Sequence, residues 1–172
     1  MKKFIYALSI FMLAGTVAAN AQEQGQFNLL GGLAYGTKSA IDVNSTEGKG
    51  GIGFYIGGEY LFTDQISAAP TFEMWKSSDS GVDYTLTSIN IDGRYYFVAD
   101  DLSIYGMAGI SLLKGKVESG GFSVSDDDTG LNIGGGVVYK LSDKFGLNGQ
   151  LKYQTPGDGQ LVLGAGVSFT LN

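Results

Sequence analysis

The sequence predicts an all-β fold, a closed antiparallel eight-stranded transmembrane β-barrel, on three observations. Eight runs of about ten residues between Phe27 and Leu171 alternate large apolar with small or polar residues, the period of a strand whose successive side chains point to opposite faces. Every charge within the central spans of these runs falls on one parity, so the other face is uncharged throughout. The aromatic residues of the uncharged face are sorted toward the ends of the runs.

Each run can be justified in turn. The first, residues 27–36, places Phe27, Leu29, Leu33 and Tyr35 on one face, and the second, 52–62, places Ile52, Phe54, Ile56, Tyr60 and Phe62 there. The third, 66–74, gives Ile66, Ala68, Pro70, Phe72 and Met74, and the fourth, 87–97, gives Thr87, Ile89, Ile91, Tyr95 and Phe97. In the fifth, 102–112, the face carries Leu102, Ile104, Ile110 and Leu112; in the sixth, 131–141, Leu131, Ile133, Val137, Tyr139 and Leu141. The seventh, 145–153, has Phe145, Leu147, Leu151 and Tyr153, and the eighth, 161–171, has Leu161, Leu163, Val167, Phe169 and Leu171. Four residues strain the pattern: Pro70 lacks a ladder donor, Trp75 falls on the polar parity, and Tyr84 and Leu86 are out of phase with Ile89. A β-bulge near one of them is expected.

Ahead of the runs lie Lys2 and Lys3, an apolar stretch from Phe4 to Ala18, and Ala19-Asn20-Ala21. A basic start, a short apolar core and a small-x-small site compose a secretory signal peptide, so residues 1–21 are expected to be cleaved and residues 22–172 to form the barrel domain. No later stretch approaches the roughly 18 apolar residues of a spanning helix. The chain has no cysteine, which leaves no disulfide framework or N-terminal lipid attachment to a thiol. The signal takes two of eleven basic residues and none of seventeen acidic ones, so the mature chain carries nine against seventeen, or −8. An acidic chain with scattered basic residues gives nucleic acid no electrostatic footprint.

Composition decides which face meets lipid. The polar parity holds only six charges in its central spans, Glu59, Glu73, Asp92, Arg94, Lys140 and Lys152, among many glycines and Tyr55, Tyr96, Tyr105, Asn132, Asn148 and Gln150. Small residues with a few large polar groups suit a crowded barrel interior. The apolar parity then faces outward, with Phe27, Tyr60, Phe62, Tyr95, Phe97, Tyr139, Phe145 and Phe169 at one end and Tyr35, Phe54 and Tyr153 near the other, as two interfacial girdles require. Short connections at 63–65, 98–101 and 142–144 alternate with longer ones at 37–51, 77–83 and 114–130, with 155–159 as the exception. This is the arrangement of periplasmic turns and extracellular loops, and closure leaves no sheet edge unpaired in lipid.

On the signal peptide, the eight amphipathic runs and the closing segment from Leu161 to Leu171, the chain resembles the small eight-stranded outer-membrane β-barrel family, the OmpA/OmpX-like group of the Bacteroidetes type. The resemblance covers residues 22–172 and implies residence in the bacterial outer membrane. It implies outer-membrane lipids as surroundings, the barrel-assembly machinery as a partner during insertion, and a monomeric state. The last run looks like the signal which that machinery reads, although the chain ends Leu171-Asn172 and not on an aromatic residue. No peptidoglycan-binding domain follows, so wall anchoring is not expected.

The six interior charges, three acidic and three basic, are expected to neutralise one another as a lumen polar network, because buried charges persist only when paired. The turns place Glu59, Arg94 and Lys140 nearer the periplasmic end, with Glu73, Asp92 and Lys152 closer to mid-depth. A gate or proton relay is the rival reading, since ionisable groups at membrane depth are often functional. Asp126-Asp127-Asp128 lacks the spacing of a defined calcium loop, and an exposed acidic run is usually solvated. Around Gly120-Gly121, residues 116–119 and 122–125 read either as strands extending above the membrane, with an edge for partners, or as a mobile loop. With no histidine, triads and imidazole metal sites are absent; no catalytic residue, cofactor or metal is expected. The functional expectation is a non-enzymatic barrel with a structural or surface-interaction role, whose extracellular ligand would sit at the loops. The alternative is a narrow channel or transporter for small or hydrophobic solutes, as in OmpW-like barrels. An enzyme working without histidine is the third reading.

Overall fold

A computed structural model describes residues 23–40, 48–98 and 101–171; the expected signal peptide lies outside the described residues. Eight strands, β1 (Phe27–Ala40), β2 (Lys49–Leu61), β3 (Ile66–Asp79), β4 (Val82–Val98), β5 (Leu102–Ser119), β6 (Phe122–Lys140), β7 (Phe145–Gln154) and β8 (Gln160–Thr170), pair antiparallel with their chain neighbours. β8 closes on β1 from Asn28↔Thr170 to Gly36↔Val162. The turn after β2 is held by Thr63, whose Oγ1 accepts from the backbone N–H of Ile66 at 2.9 Å, and the turn after β6 by Ser142, which accepts from Phe145 N–H at 3.2 Å.

One ladder row measures the stagger. Gly36 opposes Val162, then Lys152, Gly134, Met107, Arg94, Ser67 and Leu61 in succession. Leu61 N–H donates to Gln26 O at 3.0 Å, so the row returns to the first strand at residue 26, ten residues below Gly36. A stagger of this kind tilts strands by about 35–45° in a closed barrel. The row climbs from β2 through β8, and this climb brings Tyr35, Phe54 and Tyr153 to one height. The opposite girdle is packed by ring pairs, Tyr60 with Phe62 at 5.2 Å, Tyr95 with Phe97 at 5.2 Å and Phe145 with Phe169 at 4.9 Å between centroids.

Sidedness follows the parity. Leu33, Ile52 and Ile133 are 64, 69 and 65% exposed, while Glu59, Glu73, Asp92 and Arg94 are buried. A continuous apolar exterior of this extent would be an aggregation surface in water; it is stable in hydrocarbon, where the closed ladder satisfies every backbone group it spans.

Two expected loops are strands instead. Residues 77–83 are the upper part of a β3–β4 hairpin turned at Ser80-Gly81, and residues 114–130 belong to β5 and β6, turned at Gly120-Gly121. Both turn residues have positive φ in each hairpin, 50° and 81° in the first and 56° and 87° in the second, the requirement of a two-residue primed turn. The strand reading of residues 116–125 therefore holds. Of the 37–51 connection, residues 41–47 lie outside the described residues, and its flanks extend β1 and β2.

The expected bulge near Pro70, Trp75 or Leu86 is absent, since the β3–β4 register runs unbroken from Ile66↔Tyr95 to Asp79↔Val82. Register shifts fall elsewhere, between Gly36 and Ala40 and between Tyr96 and Val98. Pro70 stands on the exposed face. Trp75 and Leu86 are out of phase because the pattern itself inverts. Above Met74 and Thr87 the inner face carries the apolar residues Val82, Tyr84 and Leu86 on β4, Val117 on β5, and Phe122 and Val124 on β6, beside Asp79 on β3 and Asp126 and Asp128 on β6. The outer face there carries Asp83, Thr85, Lys114, Lys116 and Glu118. The inversion marks the height at which the strands leave lipid and enter water.

Candidate functional site: the barrel lumen

The interior charges assemble in two layers. In the lower one Arg94 Nη1 lies 3.4 Å from Glu59 Oε1. Glu59 also accepts from Ser67 Oγ at 2.6 Å, Tyr96 OH at 2.8 Å and Asn28 Nδ2 at 3.3 Å. The Arg94 guanidinium sits 4.6 Å over the Tyr105 ring and donates to Gln150 Oε1 at 3.4 Å. A planar cation between a carboxylate and an aromatic face suits arginine better than lysine. Room for the Tyr105 ring comes from Gly136, where a Cβ would overlap the phenol and the Gly149 carbonyl.

The upper layer centres on Lys152, whose Nζ is 2.7 Å from Glu73 Oε1 and 3.8 Å from Asp92 Oδ2. Gln154 Nε2 donates to Glu73 Oε2 and Asn90 Oδ1, each at 3.0 Å. Asn132 Nδ2 donates to Asp92 Oδ1 at 2.9 Å and Asn90 Oδ1 at 3.0 Å. From Gln154 Oε1 the chain of bonds continues through Gln160 at 3.1 Å to Ser39 at 2.8 Å. Above this layer Trp75, Leu86, Tyr84 and Leu113 close the interior, joined along the wall by Leu30, Ala34, Tyr55, Ala69 and Val162. The Trp75 indole donates to Ala34 O at 3.2 Å.

The structure thus brings together five of the six candidate charges, in the two depth groups that the turns imply. Lys140 is the correction: its side chain is 35% exposed at the periplasmic rim and pairs with Asp143 of the turn at 3.5 Å, because β6 ends there. Among the described residues the lumen consequently holds three carboxylates, Glu59, Glu73 and Asp92, against two cations, Arg94 and Lys152, and the balance of three and three does not apply. The amides and hydroxyls Gln154, Asn90, Ser88 and Asn28 complete the network without having been singled out; their place on the polar parity was the available signal. Tyr55 OH, Asn132 Oδ1 and Asn148 Nδ2 are buried without a hydrogen-bond partner among the described residues.

Within the acidic run of β6, Asp126 and Asp128 accept from backbone N–H groups. Asp128 Oδ2 accepts from Gly157 N–H at 2.6 Å and its Oδ1 from Thr129 N–H at 2.8 Å, so this carboxylate pins the short β7–β8 loop. Among the described residues no cluster of three acidic, His or Cys side chains is placed to hold a metal.

A closed eight-stranded barrel with an apolar exterior, aromatic girdles and a charge-filled interior is an integral outer-membrane protein. The family described as outer membrane protein beta-barrel domain matches residues 7–171, and the chain belongs to it. Among solved structures the chain is similar to Neisserial surface protein A, with 23% identity over 83% of this chain and 96% of that one and a TM-score of 0.69. It is similar also to the N-terminal β-barrel domain of Pseudomonas aeruginosa OprF, with 22% identity, coverage of 87% and 100% and a TM-score of 0.64. Ail, the attachment invasion locus protein of Yersinia pestis, matches at 22% identity over 85% and 99% with a TM-score of 0.59. These likenesses establish the fold. No curated protein sequence matches the chain.

Proposed function

We propose that this protein is a non-enzymatic barrel whose lumen is sealed by its polar network and whose extracellular β-sheet serves surface interaction. The observation that carries the reading is the division of the molecule at the membrane boundary. Below it the two charge layers occupy the interior of a barrel that has little more room than its side chains fill, and the apolar layer of Trp75, Leu86, Tyr84 and Leu113 covers them at the boundary. Above it β3 to β6 project as a four-stranded sheet, with Phe122 and Val124 83 and 70% exposed. The β6–β7 ladder begins at Asn132↔Gln154, so the β6 edge from Phe122 to Asp127 has no strand beside it among the described residues. Such an edge accepts an extended partner segment by strand addition. The absence of histidine from the sequence supports the non-enzymatic part.

The second reading, a narrow channel for small or hydrophobic solutes, draws on the apolar upper interior around Trp75 and Leu86. Planar-bilayer recording separates the two. The purified barrel is expected to leave the bilayer silent, and discrete, reproducible openings would replace the sealed barrel with the channel.

A further inference from the structure

Three lysines of this acidic chain face outward in one sector, just above the lipid-facing band: Lys76 on β3 and Lys114 and Lys116 on β5. Lys76 opposes Thr85, and Thr85 opposes Lys116, in one ladder row; Thr87 opposes Lys114 in the row below. Because rows climb from β2 toward β8, Lys116 stands higher than Lys76. Lys114, two residues nearer the membrane, comes down level with it. Their Cα atoms are about 12 Å apart, from two strand spacings and two residue rises, a gap that two extended lysine side chains close around one anion. Thr85 and Thr87 lie between them on β4, half-buried.

Lys116 is engaged by Glu118 at 2.9 Å, whereas among the described residues Lys76 and Lys114 enter no ion pair. Of the outer-face carboxylates among the described residues, Asp83 and Glu118 stand well above these two, and Asp127 opposes Lys114 across the β5–β6 ladder without closing an ion pair with it. Directly below are Met74 and Leu112, apolar and facing lipid. Two unpaired cations are therefore held where hydrocarbon gives way to headgroups, and an anionic headgroup attracts each lysine placed at that depth.

We propose that Lys76 and Lys114, with the Thr85 hydroxyl between them, form a binding site for the phosphate of an outer-leaflet lipid. The acyl chains of that lipid would lie on the β3 to β5 face below. The lipid tail is part of recognition, since it delivers the phosphate at this height and in this sector. The site faces outward, away from the lumen, so its failure would leave the sealed-barrel reading untouched.

The test is native mass spectrometry of the full folded barrel in detergent with monophosphorylated lipid A, compared with the same lipid after removal of its phosphate. The phosphorylated lipid is expected to be retained roughly tenfold better or more. K76S/K114S is expected to erase that preference, while K144S, at the periplasmic turn, keeps it. Heat-modifiable migration on a gel verifies folding of each variant, and the comparison of the two lipids on the unaltered protein needs no variant. Millimolar inorganic phosphate is expected to leave the lipid bound. Equal retention of both lipids, full binding by K76S/K114S, or displacement by inorganic phosphate would each overturn the proposal.

Discussion

Replacing Arg94 with alanine lowers the stability of the folded barrel by about 3–5 kcal/mol, the cost of removing one partner from a buried ion pair. Arg94 and Glu59 side chains are each 1% exposed, so truncation leaves the Glu59 carboxylate at membrane depth with hydroxyl and amide donors but no cation. It also removes the stack on Tyr105 and opens a void beside Gln150. The measurement is the urea midpoint of the barrel in phospholipid vesicles. Lys140→Ala is the control, because its partner Asp143 is fully exposed and exposed pairs contribute little; its midpoint is expected to move little. Glu59→Gln combined with Arg94→Met should recover most of the loss, since replacing a buried pair by groups of similar volume is often close to neutral. Equal midpoints for Arg94→Ala and Lys140→Ala would show that the lower charge layer does not hold the barrel together.

Ile91→Lys is expected to cost about 2–4 kcal/mol, the penalty for lysine on the lipid face near mid-depth. Ile91 lies between Pro70 and Ile110 in its ladder row, is 53% exposed, and sits between the two girdles, so its ammonium cannot reach either interface without distorting the strand. The same substitution at Asp83, eight residues toward the extracellular end on the same face and opposite Ser78 and Glu118, should be close to neutral, since that position lies above the band. The contrast between the two sites, measured by denaturant unfolding in vesicles, reports the height of the hydrocarbon boundary on β4.

Most of the barrel was legible because lipid makes the alternation strict: each outward residue within the lipid-facing band must be apolar or small, and a one-residue slip would bury the wrong face. The two charge groups were legible for the same reason, since turns fix the depth of Glu59 and Arg94 against Glu73, Asp92 and Lys152. What escaped lay outside the hydrocarbon. Tyr84 and Leu86 looked like a disruption because the rule that assigns apolar residues to the outside ends where water begins, and the same strand continues with its faces exchanged. Residues 77–83 and 114–130, rich in serine, glycine and aspartate, have the composition of loops, yet Ser80-Gly81 and Gly120-Gly121 turn them as hairpins. Lys140 was placed inside by parity alone, and parity carries no information about where a strand runs out into solvent.

The central claim is that one parity of each strand faces lipid and that the faces exchange above the membrane. The chain contains no cysteine, so a single cysteine introduced along β4, from residue 83 to residue 95, carries the only spin label. Collision with oxygen, which partitions into lipid, and with a water-soluble nickel complex is then measured for each labelled barrel in vesicles. Labels replacing Ile89, Ile91, Gly93 and Tyr95 should be open to oxygen and shielded from nickel, those replacing Ser88, Asn90 and Asp92 closed to both, and those replacing Asp83 and Thr85 open to nickel. Nickel access at residues 89 and 91, or an oxygen pattern that continues unchanged through residues 85 and 83, would contradict the account.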